Sequence, residues 1–400
     1  LSAIETGTGT ANGVGLAQLA YPVRVGNPNL SWEQNEEIDF GVDMYFDDGR
    51  YSLTADVFRK TTEDLLLNLP VPNYTGFASR ASNFGKLRNE GLEIQVNVSP
   101  LEGKFKWESS LNFTFARSEV MEVGEQGELV LSGIGILREG EAIGEWYGYQ
   151  QEGIWQSQAE IDAVANGFLR QLGVSARDLE PGRTKFVDQL TVDTDGDGIP
   201  DAGDGEINAN DRVLLGKSSP DFTGGFYNTF SWKGFSFNVG FQYSQGAKIY
   251  NSNRVDFEAG RGYANQTART ADRWVPELYS YDPANPNDLT LVRPGNFSNL
   301  IRKVSGNVED QMIDRNLEDG SFIRLSDISI AYDLPATITE RMGISSCRFF
   351  VTGQNLKLWT KYEGYDPEVN TGAYRSLLPG VDSGAYPREK TIALGLKLVL

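Results

Sequence analysis

The chain has no histidine and a single cysteine in 400 residues. Without histidine it lacks the commonest general base and the usual imidazole ligand of zinc. Cys347 has no second thiol to pair with, so no internal disulfide braces the fold; its place in an alternating strand predicts a buried or lipid-facing apolar role. Basic residues are scarce, 36 against 55 acidic ones, for a formal charge of −19. A nucleic-acid binder needs a cationic surface for phosphates, so that class is excluded, whereas acidic loops suit divalent cations and neutral or cationic solutes. No apolar run approaches the roughly 18–20 residues of a membrane helix. No Gly-x-Ser-x-Gly elbow or P-loop occurs, and neighbouring carboxylates such as Glu36 and Glu37 point to opposite faces of a strand, where they cannot flank one bond. A non-enzyme is expected.

What the chain does have is alternation. In Thr391–Leu400 the residues Ile392, Leu394, Leu396, Leu398 and Leu400 fall on one face and Ala393, Gly395, Lys397 and Val399 on the other. Side chains of a strand alternate between faces, and an apolar face of this kind in water would leave an aggregation-prone edge. In a closed transmembrane barrel the same strand meets lipid on one face and a lumen on the other. Ile38, Phe40, Val42, Met44 and Phe46 repeat the pattern, followed by an Asp-Gly hairpin signal at Asp48-Gly49 and a return through Tyr51, Leu53, Ala55 and Val57. Nine strands are expected, near residues 36–46, 51–60, 89–99, 104–117, 224–232, 235–246, 321–334, 346–358 and 389–400. Short turns alternate with long loops, as in outer-membrane barrels and unlike a soluble β-sandwich. The expected fold is therefore all-β, a transmembrane antiparallel barrel.

The organisation read from this pattern places the end of an extracellular loop at 1–35 and four barrel strands at 36–118. A large extracellular loop follows at 119–223, then five strands with long loops at 224–400. Nine is odd, whereas single-chain barrels of this kind have even strand numbers, so further strands are expected in an N-terminal part preceding this chain.

Two groups of candidate site residues stand out. Asp193, Asp195 and Asp197, followed by Gly198, reproduce the opening of an EF-hand-type loop, in which oxygen ligands at positions 1, 3 and 5 precede a turn-forming glycine. Ca²⁺ is the expected ion, with Asp204 or Asp211 closing its shell. Trp146, Tyr147, Tyr149, Trp155, Trp274 and Tyr279 lie in the long loops and read either as a platform for sugar or peptide surfaces or as packing that keeps those loops folded.

A series of distinctive segments runs along the chain: Asn27-Pro-Asn-Leu-Ser-Trp-Glu33, Asn89-Glu-Gly-Leu-Glu93, Gly144-Glu-Trp-Tyr-Gly-Tyr149, Asp193-Thr-Asp-Gly-Asp-Gly198 and Asn210-Asp-Arg212. Phe322-Ile-Arg-Leu325, Ala331-Tyr-Asp-Leu-Pro335, Gly353-Gln-Asn-Leu356, Gly364-Tyr-Asp-Pro-Glu368 and Gly384-Ala-Tyr-Pro-Arg388 follow. In this order, spread over nearly the whole chain, they resemble the C-terminal part of SusC/RagA-type TonB-dependent outer-membrane transporters. The resemblance implies about nine strands of a 22-stranded barrel in a bacterial outer membrane. It also implies an N-terminal plug coupled to TonB-ExbB-ExbD, a SusD-like lipoprotein lid, and import of a glycan or peptide. A passive porin or surface adhesin, and a secreted β-rich glycan-binding protein, are the competing classes. One departure is the final Leu400, where the family usually ends in an aromatic residue.

Overall fold

The computed structural model describes residues 4–10, 16–22, 26–71, 73–77, 79–83, 85–124, 127–165, 170–172, 174–175, 179–259, 265–282, 284–303, 311–371 and 376–400. Its largest element is a nine-stranded sheet in which each strand pairs antiparallel with its sequence neighbour in the wall. In chain order the strands are β1 Gln34–Phe46, β2 Tyr51–Glu63, β3 Lys86–Glu102, β4 Phe105–Glu122, β5 Phe222–Trp232, β6 Phe235–Gln245, β7 Phe322–Asp333, β8 Ser346–Thr360 and β9 Thr391–Val399. Among the described residues no helix is long and apolar enough to cross a membrane.

The register explains why the alternation matters. Met44, Leu53, Val96, Leu111, Phe226, Phe241 and Leu325 lie opposite one another in a row across seven strands. One residue away runs the row Asp43, Thr54, Gln95, Asn112, Gly225, Gln242 and Arg324. Adjacent rows point to opposite faces, so one face of the wall is apolar and the other polar. Farther along, Leu394, Val351, Ile330, Phe237, Phe230 and Trp107 form a second apolar row beside Ala393, Thr352, Ser329, Asn238, Thr229 and Glu108. The apolar face is strongly exposed in this chain, at 71% for Phe40 and 83% for Leu394, as a lipid-facing surface should be. On the polar face Thr54 donates to Asp43 Oδ1 at 2.6 Å, and Thr229 Oγ1 to Asn238 Oδ1 at 2.9 Å.

One interruption keeps the faces consistent. In β7 the apolar positions change from odd, Ile323 and Leu325, to even, Ile328 and Ile330. The pairing with β6 passes from Gly240–Asp327 to Phe241–Leu325, which leaves Ser326 as an extra residue. A bulge of this kind resets the alternation, and Ile323 and Ile330 are both exposed on the lipid side.

Connections are short at one end of the wall, at 47–50, 103–104 and 233–234, with a longer turn at 334–345. At the other end they are long, at 64–85, 123–221, 246–321 and 361–390. Strands β3 and β4 have 17 and 18 residues, well beyond the roughly 9–11 that cross a bilayer, and run farther than the sequence pattern implies. Their loop-side ends are held by packing. Leu87 and Val120 face each other there and are buried with Val123, Leu131, Leu137, Trp146, Leu215, Met312, Leu377, Leu378 and Val381. Three long loops thus share one hydrophobic core seated on the β3–β4 hairpin. Within 1–35, expected as loop, Ile4–Thr10 and Leu16–Pro22 pair as an antiparallel ribbon outside the nine-stranded sheet. Cys347 is buried in β8 opposite Leu398, in keeping with an apolar role.

Candidate functional site

The large loop builds small sheets of its own. Glu128–Leu131, Gly135–Arg138, Glu145–Gly148 and Val213–Lys217 form one four-stranded sheet, and Gln151–Ile154 pairs with Thr184–Phe186. These elements determine where the candidate aromatics go. Trp146 has no exposed surface, and its Nε1 donates to the Lys248 carbonyl at 3.0 Å. Tyr147 is buried beneath the Arg212 guanidinium, 4.3 Å from its ring centre. Tyr149 packs on Phe186, and burial raises its hydroxyl pKa. Gly148 lies between these tyrosines because a Cβ there would strike Met312, whose carbonyl accepts the Tyr149 amide at 2.8 Å. Trp155 donates to Gln171 Oε1 at 3.2 Å, and Trp274 to Gln156 Oε1 at 3.2 Å; both rings are buried. Of the six candidates only Tyr279 is exposed, its hydroxyl donating to Glu277 at 2.6 Å. The other five are spent on packing within the loops, because burying their rings is what holds segments this long in one conformation.

The acidic turn is placed differently from its sequence reading. Asp193, Asp195 and Asp197 are exposed, and each offers a carboxylate oxygen within 4.8 Å of the others. Asp193 accepts the amides of Gly196 and Gly198 at 2.7 and 2.8 Å, and these bonds hold its carboxyl below the usual range. A bridge between Val192 and Ala202 closes the turn, and Thr194 donates to Asp201. Asp204 and Asp211 do not join the three-carboxylate group. Asp204 accepts the Glu206 amide at 2.8 Å. Asp211 is buried, with one oxygen accepting the Gln189 amide at 2.9 Å and the other the Asn208 amide at 2.7 Å. Its carboxylate is committed to capping the helical turn Ala209–Asp211 and has nothing free to offer an ion.

Three of the family-like segments converge on an ion cluster around the buried Arg324. Arg324 of β7 reaches Asp366 and Glu368 at 2.7 Å each, and Arg388 reaches Glu368 at 2.9 Å. Burial pushes the Asp366 carboxyl up, but the Arg324 bond and the Glu368 amide outweigh it and leave the group below its ordinary value. This cluster ties the 361–390 loop to the polar face of the wall.

Beside it lies a cleft of about 720 Å³ between the helix Ser252–Ala259, the helical turn Ala268–Asp272 and the segments 363–365 and 382–387. Its charged floor is already paired: Arg254 contacts Glu258 and Glu318 at 3.2 and 3.4 Å, and Arg269 contacts Glu363. Tyr362 donates to Asp382 at 2.5 Å, and burial followed by that bond drives its pKa well upward, so it stays a neutral donor. Tyr365, Tyr386 and Phe257 line the cleft with exposed rings, 81% for Tyr365 and 85% for Tyr386. These three were missed as site residues. The tyrosines sit inside Gly364–Glu368 and Gly384–Arg388, where the family-like pattern signals a loop anchor and conceals an open ring.

A wall apolar on one face and polar on the other, short turns at one end and a folded body of loops at the other, defines a transmembrane β-barrel. The chain belongs to the TonB dependent receptor-like, beta-barrel family, whose model matches residues 5–356. It is 32% identical to TonB-dependent receptor P3 of Formosa agariphila over 97% of this chain and 35% of that protein. It is 26% identical to the TonB-dependent receptor SusC of Bacteroides thetaiotaomicron over 93% of this chain and 32% of SusC. The RagAB peptide transporter matches 100% of this chain and 38% of its own, with TM-score 0.72 and 22% identity. The chain thus spans about a third of the length of these curated relatives, and the expected SusC/RagA-type likeness is present in both comparisons.

Proposed function

We propose that this chain forms the C-terminal wall and loop body of an outer-membrane importer for a glycan or peptide. Import would be driven by TonB-ExbB-ExbD through an N-terminal plug, with a SusD-like lipoprotein as lid. The observation that carries this reading is the loop body. Three long loops bury one core at a single end of a polar-faced wall; a passive pore needs only the wall, whereas a lid and a gated solute need a rigid surface to close on. Family membership and the likeness to SusC and RagAB point the same way. The chain acts without catalysis, in keeping with its lack of histidine.

The test is uptake by cells carrying the full-length protein, with and without TonB. Import is expected to stop without TonB, and deletion within 265–303 is expected to release the lipoprotein partner in co-purification while the barrel still inserts. Solute entry that persists without TonB would favour the porin reading.

A structural Ca²⁺ in the turn Asp193–Gly198 is part of the proposal. Three hard oxygen donors on a closed turn fit this ion, with water completing the shell in place of Asp204 and Asp211. Titration with Ca²⁺ followed by hydrogen exchange is expected to slow exchange at 192–202 in the wild type and to leave Asp195→Ala unchanged.

A further inference from the structure

We propose that the cleft between the helix Ser252–Ala259 and the segments 363–365 and 382–387 binds a neutral saccharide. This rests on the import reading and narrows its solute from glycan or peptide to uncharged glycan. The argument begins with charge. Every charged side chain lining the cleft has a counter-ion or hydrogen-bond partner within the protein: Arg254 with Glu258 and Glu318, Arg269 with Glu363, and Asp382 with Tyr362 and the amides of Gly384 and Ala385. A peptide terminus, uronate or sulfate entering here would lose its hydration and find no unpaired charge in exchange, which is costly.

What the cleft offers instead is aromatic surface with scattered neutral polar groups. Tyr365 and Tyr386 are almost fully presented, and Phe257 is partly so. Thr267 Oγ1, also in the lining, is buried and has no hydrogen-bond partner among the described residues. A buried hydroxyl left unpaired is costly and marks a place where a bond partner belongs. Asn253 uses its amide nitrogen on the Asp382 carbonyl at 3.4 Å and keeps its amide oxygen as an acceptor. A pyranose matches this set: its C–H face covers an aromatic ring, and its hydroxyls both donate and accept at the rim. A cleft of about 720 Å³ lies within the roughly 300–1,000 Å³ of small-ligand sites.

Isothermal titration of the detergent-purified full-length transporter tests this with defined probes: hexaoses of α-1,4-glucose, β-1,3-glucose, β-1,4-xylose and β-1,4-mannose, a hexagalacturonate and pentaalanine. At least one neutral hexaose is expected to bind. Tyr365→Ala and Tyr386→Ala should each weaken it about tenfold, Tyr386→Phe should retain most of the affinity, and Thr267→Val should cost about threefold. Both tyrosines are so exposed that truncating them leaves folding intact, which heat-modifiability on gels verifies. Binding of only the hexagalacturonate or pentaalanine overturns the inference, as does neutral binding unchanged in the Tyr365→Ala/Tyr386→Ala double variant, or no binding by any hexaose at millimolar concentration. Those results leave TonB-dependent uptake untouched. Uptake that ignores TonB would sink the import reading and leave the isotherms standing.

Discussion

The wall and the loop body of this chain are solvated in opposite senses. In the wall, large apolar residues such as Phe40 and Leu394 lie outward and exposed, and polar groups pair across the inner face. In the loops the order is that of a water-soluble protein: Trp146, Leu137 and Leu378 are fully inside. Lipid is as apolar as leucine, so the wall gains nothing from hiding its leucines and depends on a closed hydrogen-bond ladder. The loops face water and are held by apolar burial. One chain thus contains two stability regimes, joined at the Leu87–Val120 end of the β3–β4 hairpin.

Mutations that act on one regime and spare the other test that division. Trp146→Ala removes the largest fully buried ring of the loop core and is expected to cost the loop body about 3–5 kcal/mol. Hydrogen exchange should accelerate at 128–138 and 376–381 while the wall strands stay protected; equal acceleration in the wall would show a single cooperative unit. Arg324→Ala strands the Asp366 carboxylate and leaves Glu368 with Arg388 alone, in a site where the arginine is 3% exposed, at a cost of about 3–5 kcal/mol. The 361–390 loop should then become open to protease. The same clamp is acid-sensitive. The Asp366 pKa is depressed in the folded state, so its contribution is complete above the ordinary Asp value of 3.8 and fades as pH falls through the lower folded value. Proteolysis at 361–390 should rise only in that acid range.

In the wall, Leu394→Arg is expected to destabilise by about 2–4 kcal/mol near the bilayer midplane, and Ala393→Arg, one residue away on the polar face, by far less. Urea titration in lipid vesicles reads the difference, and similar losses at both sites would refute the assigned facing. The smallest effect is expected at Glu145. Burial, reinforced by Glu141, raises its pKa against the opposing pull of Lys217 and Lys248, so its charged form works against folding above the ordinary Glu value. Glu145→Gln should therefore stabilise the loop body slightly at neutral pH. A destabilised loop body would mean that the carboxylate is a needed partner of Lys217 or Lys248.

The wall was legible because its physics is local. A period of two and a short turn inside each hairpin need no partner to be read, and all nine strands lie where the alternation places them, with β3 and β4 running on beyond it. The Ser326 bulge was less so, appearing only as a change of parity between Leu325 and Ile328. The loops resist such reading because their contacts join distant segments: Trp146 meets Lys248, and Arg324 meets Asp366. Conspicuous aromatics such as Trp146 and Trp155 read either as ligand surface or as loop packing, and only their burial decides for packing, while Tyr365 and Tyr386 were passed over inside segments that read as family pattern. Asp211 lay at a plausible spacing for an ion, yet its burial under the amides of Gln189 and Asn208 could be seen only in three dimensions.

The shared core of the loops has a consequence for descent. Because the 123–221, 246–321 and 361–390 segments bury their side chains chiefly on one another and grip the wall through few residues, a change in one loop must be answered in the other two and scarcely at all in the strands. Such loops are inherited as a block. Recombination that moves all three together would hand a barrel a new surface, whereas exchange of one alone would leave ill-fitting halves of a core.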